Sequence, residues 1–569
     1  MSAVLEAREP RASYLAALQP PLVRQFDLLA SAPGGVARLR ELILTLAVQG
    51  KLVPQDPSDE PASVLLRKIR AEKDRLIAAG KIKRDKDVSP IREEEMPFEL
   101  QPGWAWVRFG ESSINRDGER IPVSSSDRES RSKIYDYYGA SGVIDKIDGY
   151  LFDKTLLLIG EDGANLINRS TPIAFLAHGK YWVNNHAHVI DTTHPALMDY
   201  LALFINAISL EPYVTGTAQP KMNQAKLNSI VVALPPLAEQ SRIVTRVEEL
   251  MRLCDALESQ RQLETAQHAQ LLSTLLGTLT DSTSPDELAA NWQRVSDHFD
   301  LLLDRPQAVD ALEQTILQLA VRGLLVPQDP TDEPASVLLQ QIRAEKDRLI
   351  AAGKIKQGKV RTSISDEAMS FDLHIGWERV RFGDYIFEIC TGPFGSLIHK
   401  EDYVHGGVPL INPSHMKGGR IEHDPEVTVS QAMAVNLDAY KISSGDIILA
   451  RRGEVGRYAL VTDREAGWLC GTGSFFVKLH ASCNHNYLGL MLDDPAFRMH
   501  LQGESVGSTM TNLNQRILVD SEILIPPLAE QTRIVARVNQ LRSLCADLRQ
   551  RLSARQTTQR HLAEALVEV

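Results

Sequence analysis

Apolar residues recur at four- and three-residue intervals in two distant stretches of the chain. Ile243, Val247, Leu250, Cys254 and Leu257 form one run, and Ile534, Val538, Leu541, Cys545 and Leu548 form the other. This spacing predicts helices with a single apolar seam of the coiled-coil kind. Pro235-Pro236 and Pro526-Pro527 stand before the two runs, where proline resists a preceding helical residue. The first helix is expected from Leu237 to about Leu279, roughly 65 Å at 1.5 Å per residue. Its seam weakens at Arg261, Glu264 and His268, which suggests that another chain or solvent takes over there. A single-seam helix needs a mate, and the matching copy is the expected one.

A second helix type, rich in Ala, Leu, Arg, Glu and Lys, is expected over 62–79 and 335–352. Asp59 or Ser58 beside Pro61 is the expected cap, and Gly80 the expected stop. Its Arg67, Lys68, Arg70, Lys73 and Arg75 alternate with Glu72 and Asp74, the pattern of a solvated or protein-facing surface rather than a DNA groove. Strand-like runs at Thr155–Ile159, Ile447–Ala450, Ser474–Leu479 and Ile523–Ile525 alternate with Gly, Asn, Asp and Ser turns. Mixed α/β heads on helical arms are the expected architecture.

The same text is written twice. Residues 43–83 recur at 316–356, offset 273, with 35 of 41 positions identical. Residues 235–254 recur at 526–545, offset 291, with 14 of 20 identical. The segment between the two blocks is therefore 18 residues longer in the second copy. The intervening stretches, about 104–234 and 377–525, are only weakly alike. Leu156–Gly163 resembles Ile447–Gly453, and Gly216 through Asn223-Gln224 resembles Gly507 through Asn514-Gln515. Uniform drift does not leave joints nearly intact while heads diverge. Joints that satisfy one geometry twice, carrying heads that meet two different partners, do.

Composition narrows the class. A chain of 569 residues is too long for one core. With no run of about 18 apolar residues and no signal-like N-terminus, a cytoplasmic protein is expected. Cys254, Cys390, Cys470, Cys483 and Cys545 lack paired spacing, and Cys254 and Cys545 sit at apolar helix positions, so core roles are expected. A phosphate-cradling GxxxxGK[ST] loop is absent. Asn412-Pro413-Ser414-His415 lacks the second proline and aromatic ring of an adenine methyltransferase motif and reads as a turn. His178, His186 and His188 show no metal-ligand pattern. Glu161-Asp162 suits a metal, yet the matching residues in the second head are Arg451-Arg452. A catalytic pair does not survive charge reversal, so these positions read as specificity.

The phrases LAVQGKLVPQ, EPASVLLRKIRAEKDRLI and PPLAEQSRIVTRVEEL resemble the constant regions of type I restriction-modification specificity subunits, the HsdS family. So do 138–165, TGPFGSLIHKEDY and GDIILARRGEVG within 391–456. The resemblance covers nearly the whole chain from about residue 25. It implies two α/β (α+β) globular target recognition domains on long antiparallel helices, related by an internal pseudo-two-fold repeat. The expected division is an N-terminal tail (1–24), a first helical block (25–102), recognition domain 1 (103–235), a central helical region (236–375), recognition domain 2 (376–526) and a C-terminal helix (527–569).

The same resemblance implies that each domain reads one half of an asymmetric, split site in double-stranded DNA. The helical regions dock two methyltransferase (M) subunits, which act on adenine N6, and two restriction/translocase (R) subunits complete the assembly. No cofactor is expected in this chain: S-adenosylmethionine, ATP and Mg2+ belong to the partners, and the chain itself is not catalytic. Helix length is expected to set the unread gap, so added helical turns after Leu257 should lengthen it.

Acidity bears on this reading. The chain has a net charge of -11, and residues 104–234 carry 12 Lys+Arg against 14 Asp+Glu, residues 377–525 13 against 18. Basic residues must therefore gather on one face, and partners supply much of the phosphate contact. Base edges are read by Arg, Lys, Asn and Gln. The candidates in the first head are Asn165, Asn168, Arg169, Lys221, Asn223 and Gln224. In the second they are Lys417, Arg451, Arg452, Arg457, Thr509, Asn512, Asn514, Gln515 and Arg516. Arg451-Arg452 stands out, because two guanidiniums adjoin a glycine after a strand. Gly507-Ser508-Thr509 beside Asn514-Gln515 is expected to form a phosphate-binding helix start.

Overall fold

The structure, a computed structural model, describes residues 29–30, 32–82, 89–216, 219–355, 373–393, 397–503 and 513–567. It divides into two compact units, residues 1–263 with 556–569, and residues 264–555.

In the first unit the helices Gly35–Val48 and Ala62–Ala78 precede a mixed α/β head. Four strands form its main sheet, in the order Ile114–Asn115, Ala187–Asp191, Leu156–Gly160, Ala174–Ala177, all antiparallel. Leu156–Gly160 is buried at every position, as a strand covered on both faces must be. A second sheet runs Gly142–Ile147, Tyr135–Gly139, Lys180–Val183, Phe152–Asp153. Chain entry and exit are zipped together, since Ala105–Arg108 pairs antiparallel with Val231–Leu234. Pro235-Pro236 then gives way to a 44-residue helix, Leu237–Thr280.

The joint beneath the head is held by a buried glutamate. Trp104 Nε1 donates to Glu239 Oε2 at 3.0 Å, Gln55 Nε2 donates to Oε1 at 2.8 Å, and Arg242 pairs with Asp59 at 2.5 Å. Around it Phe109, Tyr200, Val247, Leu250 and Cys254 share one core, which Ala563 of the C-terminal helix joins.

The second unit repeats the plan. Helices Pro306–Val321 and Ala335–Ala351 precede a head whose main sheet runs Glu388–Thr391, Ser474–Lys478, Ile447–Ala450, Tyr458–Leu460. Glu378–Arg381 pairs with Glu522–Ile525, and the 40-residue helix Leu528–Val567 follows Pro526-Pro527. The tie recurs: Trp377 Nε1 to Glu530 at 3.0 Å, Gln328 Nε2 to Glu530 at 2.9 Å, Arg533 to Asp332 at 2.7 Å. Tyr487 donates its hydroxyl to Leu524 O, as Tyr200 does to Ala233 O. Leu272, Leu276 and Leu279 share this unit's core with Ile534, Val538, Cys545 and Leu552. A three-stranded sheet runs Thr428–Val429, Tyr403–Ile411, Leu469–Cys470, and its parallel pair, Tyr403–Ile411 with Leu469–Cys470, matches the parallel pair Tyr135–Gly139 with Lys180–Val183 in the first head.

Two local expectations are corrected. The Ala62–Ala78 helix has Pro61 at its N-cap and no side-chain cap bond. Asp59 spends its carboxylate on Arg242, and Ser58 turns to Asp56. At the weakened seam the expectation is corrected for Arg261 and His268, which meet carbonyls of this chain, while Glu264 is exposed to solvent. Arg261 donates to Ala32 O at 2.8 Å, and His268 Nε2 lies 3.1 Å from Leu301 O. The expected stop holds: Gly80 adopts φ +66°, and Lys81 N closes on Leu76 O. Cys254 and Cys545 are buried. Asn412-Pro413-Ser414-His415 is a turn, with a 3-10 helix over Pro413–His415. No helix among the described residues is long and apolar enough to cross a membrane.

Candidate nucleic-acid interface

Both heads present the same backbone device at the end of a central strand. In the first, Leu157 opposes Ile190 and Gly160 opposes Ala187. In the second, Ile447 opposes Val477 and Ala450 opposes Ser474. One residue further, Glu161 N donates to His186 O at 2.8 Å, and Arg451 N to Gly473 O at 2.9 Å. Met222 N then donates to Glu161 O at 2.7 Å, and Leu513 N to Arg451 O at 2.8 Å. Gly163 and Gly453 follow two residues later, with φ +107° and +76°, a backbone region open mainly to glycine. Next to Met222 and Leu513, Asn223 and Asn514 cap the short helices Gln224–Ser229 and Gln515–Asp520. Glu161 therefore stands where Arg451 stands, Asp162 where Arg452 stands, and His186 where Gly473 stands.

The first head surrounds this point with a charged network. Glu161 Oε2 accepts from Arg120 at 2.8 Å, and Oε1 pairs with Lys221 at 3.2 Å. Arg120 also reaches Asp117 at 3.3 Å and Ala187 O at 2.7 Å. The fully buried His188 bridges Asp117 Oδ2 at 2.6 Å and Met222 O at 2.8 Å. Burial alone lifts an acid, but the His188 bond and the Arg120 charge hold the Asp117 carboxyl below its ordinary value. Asp162 accepts from His186 Nδ1 at 2.8 Å, and the imidazole stays half exposed.

In the second head the matching side chains are guanidiniums. Arg451 lies over the Phe475 ring, 5.4 Å from its centroid, and Arg452 is exposed. Burial, with Arg452 beside it, lowers the Arg451 pKa from its ordinary value. Among the described residues, no group of three or more His, Cys, Asp or Glu is placed to hold a metal ion.

The remaining candidates are placed unequally. Asn165 is consumed by its own loop, through bonds with Ser170 and Thr171. Arg169, at φ +48°, donates to Asn206 O at 2.9 Å and to Ile208 O. Its guanidinium thus closes the end of the Pro195–Ala207 helix, inside the fold. Asn168 and Gln224 are exposed, and Lys221 is held by Glu161. Asn223 and Asn514 give their side-chain oxygens to the N–H groups of Lys226 and Arg516. Gln515 donates to Ile389 O, Arg516 pairs with Asp520, and Lys417 pairs with Glu422. Arg457 pairs with Glu454 and reaches Pro413 O. Thr509, Asn512 and the Gly507-Ser508-Thr509 stretch lie outside the described residues. The helix beside that stretch has six residues, and the Asn514 side chain takes the N–H of Arg516.

Arg120 is not among the sequence candidates, whereas Asp162 is read there as a specificity position and His186 only as a histidine without a metal-ligand pattern. Arg120 lies 41 residues from Glu161 in a stretch with no counterpart motif, so nothing local marks it. Asp162 was visible only through its alignment with Arg452.

The family model of the type I restriction modification DNA specificity domain matches residues 111–266 and 374–555. The chain is similar to the EcoEI type I restriction enzyme specificity subunit of Escherichia coli, at 34% identity over 94% of this chain and 93% of that one. It is similar to the EcoAI specificity subunit of the same organism, at 35% identity over 94% and 93%. Among solved structures, the HsdS subunit from Thermoanaerobacter tengcongensis aligns with a TM-score of 0.39 and 17% identity, over 83% of this chain and 97% of that one.

Proposed function

Because the chain belongs to the type I restriction-modification specificity subunits, we propose that its two heads read the two halves of one asymmetric, split DNA site. The helical blocks then dock two adenine-N6 methyltransferase subunits, and two motor-nuclease subunits join for restriction. S-adenosylmethionine, ATP and Mg2+ act on those partners, and this chain contributes the address. The observation that carries the reading is the repeated joint. Glu239 with Trp104 and Gln55, and Glu530 with Trp377 and Gln328, fix two heads by the same bonds. Above those joints the heads share a sheet order and differ in the charge at the strand end. One attachment geometry used twice suits one kind of partner docked twice, and two surfaces suit two half-sites.

The test is genome-wide mapping of methylated adenines in cells carrying the methyltransferase subunit, with and without this chain. A two-part motif that appears only with the chain is the expected result. Methylation by the purified chain alone, or a motif with one contiguous half, overturns the reading.

A further inference from the structure

We infer that His186, oriented by Asp162, is a base-reading residue of the first head, and that it selects an amino-bearing base edge where the second head's Arg452 selects guanine. The inference rests on the DNA-reading role proposed above.

The backbone equivalence is the starting point. Glu161 and Arg451 occupy one place, fixed by the same pair of main-chain bonds, so Asp162 and Arg452 occupy the next. The two heads thus offer opposite chemistry from one backbone position. A guanidinium has only donors and matches the two acceptors, O6 and N7, on the major-groove edge of guanine. Asp162 has only acceptors, and its oxygens take the Nδ1 hydrogen of His186 at 2.8 Å. That bond selects the tautomer of the uncharged imidazole that carries its hydrogen on Nδ1, the form in which Nε2 is an acceptor. The ring is 48% exposed, and its Nε2 has no protein partner among the described residues. An acceptor matches the amino groups of adenine N6 or cytosine N4 and is repelled by the keto oxygens of guanine and thymine.

The surroundings favour a base over a phosphate. Asp162 and Glu161 place two carboxylates beside His186, which disfavours an anion. Glu161 is meanwhile neutralised by Arg120 and Lys221, so the group pairs its charges internally, with the His186 imidazole and the Lys221 stem as its outward polar groups. Gly473, at the matching place in the second head, has no side chain to compete with Arg452.

The experiment uses the full chain in complex with its methyltransferase subunits and a DNA library randomised across the site. Methylation is read at each position for the wild type, His186→Ala, His186→Gln and Arg452→Ala. With the wild type, one position of the first half-site shows adenine or cytosine favoured over guanine or thymine. His186→Ala lowers that discrimination about tenfold or more, at that position alone, and leaves the second half-site unchanged. His186→Gln keeps an acceptor and retains part of the preference. Arg452→Ala lowers discrimination at a guanine of the other half-site only. A His186→Ala profile equal to wild type, or a uniform loss at every position, overturns the inference while leaving the split-site reading intact. Methylation that does not depend on this chain overturns that reading instead.

Discussion

Glu239 and Glu530 are each 1% exposed, and the bonds that hold them come from neutral donors, an indole and an amide in both cases. Burial lifts both carboxyls above their ordinary range, and the donated bonds offset part of that. Replacing either by alanine strands a tryptophan N–H and a glutamine amide. Each change should cost about 1–3 kcal/mol, measured by urea unfolding. A cost below about 0.5 kcal/mol would show that the tie is incidental. Asp446 carries a clear pH signature. It is 6% exposed, accepts from Ser443 N at 2.8 Å, and burial raises its pKa to about 6. An acid raised in the folded state stabilises fully below its unfolded value and loses that contribution as pH climbs through about 6. Asp446→Asn keeps the acceptor and cannot ionise. Its stability relative to wild type should rise between pH 4 and 7, by at most roughly 3 kcal/mol. A gap that stays flat with pH would remove Asp446 as the cause. At the proposed interface, Arg451→Ala with Arg452→Ala should abolish site methylation while the methyltransferase subunits stay bound, checked by co-purification. Unchanged methylation would dismiss both residues from DNA contact.

Elements were legible to different degrees, for identifiable reasons. The long helix was readable almost to the residue, expected over Leu237 to about Leu279 and found over Leu237–Thr280. Its seam is periodic, and prolines punctuate its start. The buried strands at Leu156–Gly160 and Ile447–Ala450 were equally plain, being continuous apolar runs between turns. By contrast, the sheet of Tyr135–Gly139 with Gly142–Ile147 and Lys180–Val183 was not foreseen, because its strands mix exposed, charged and aromatic positions without a period. The cap of the Ala62–Ala78 helix was misassigned because Asp59 had a stronger use: a charged partner 183 residues away outcompeted the local N–H groups. In the interface, the turn glycine and the capping asparagines were visible in the text, whereas Arg120 reached Glu161 only through folding. A glycine turn closes each first helix. Gly50 and Gly323 adopt φ +68° and +74°, and an added Cβ would lie 2.8 and 2.7 Å from the rings of Trp104 and Trp377. Since those same rings bind Glu239 and Glu530, Gly50→Ala or Gly323→Ala strains the helix end and the joint together. Each should cost about 1–3 kcal/mol, seen as a lower urea midpoint. A neutral substitution would mean that the indole can move without loss.

On the scale of the whole molecule, the decisive feature is covalent continuity. The division between the compact units falls within both long helices along the chain, after Leu263 in one and after Arg555 in the other, and each helix is assigned without interruption there. A helix conserves its rise under insertion, whereas a loop absorbs added residues. If helix length sets the gap between half-sites, whole turns added to both helices must lengthen it. The place matters, because Arg261 is bound to Ala32 O and Leu257 lies in the first unit's core. Insertion after Leu257 would pull that bond apart, so the added residues belong after Leu263. Seven residues, about two turns, keep the helical faces in phase. At 1.5 Å per residue they add about 10 Å, close to three base pairs at roughly 34 Å per ten. The methylated motif of the assembled enzyme should therefore keep both half-sites and gain about three unread base pairs between them. An unchanged gap, in a complex that still assembles and methylates, would mean that the spacing is set by the docked partners rather than by this chain. A changed half-site would mean that the heads do not read DNA independently of the arms that carry them.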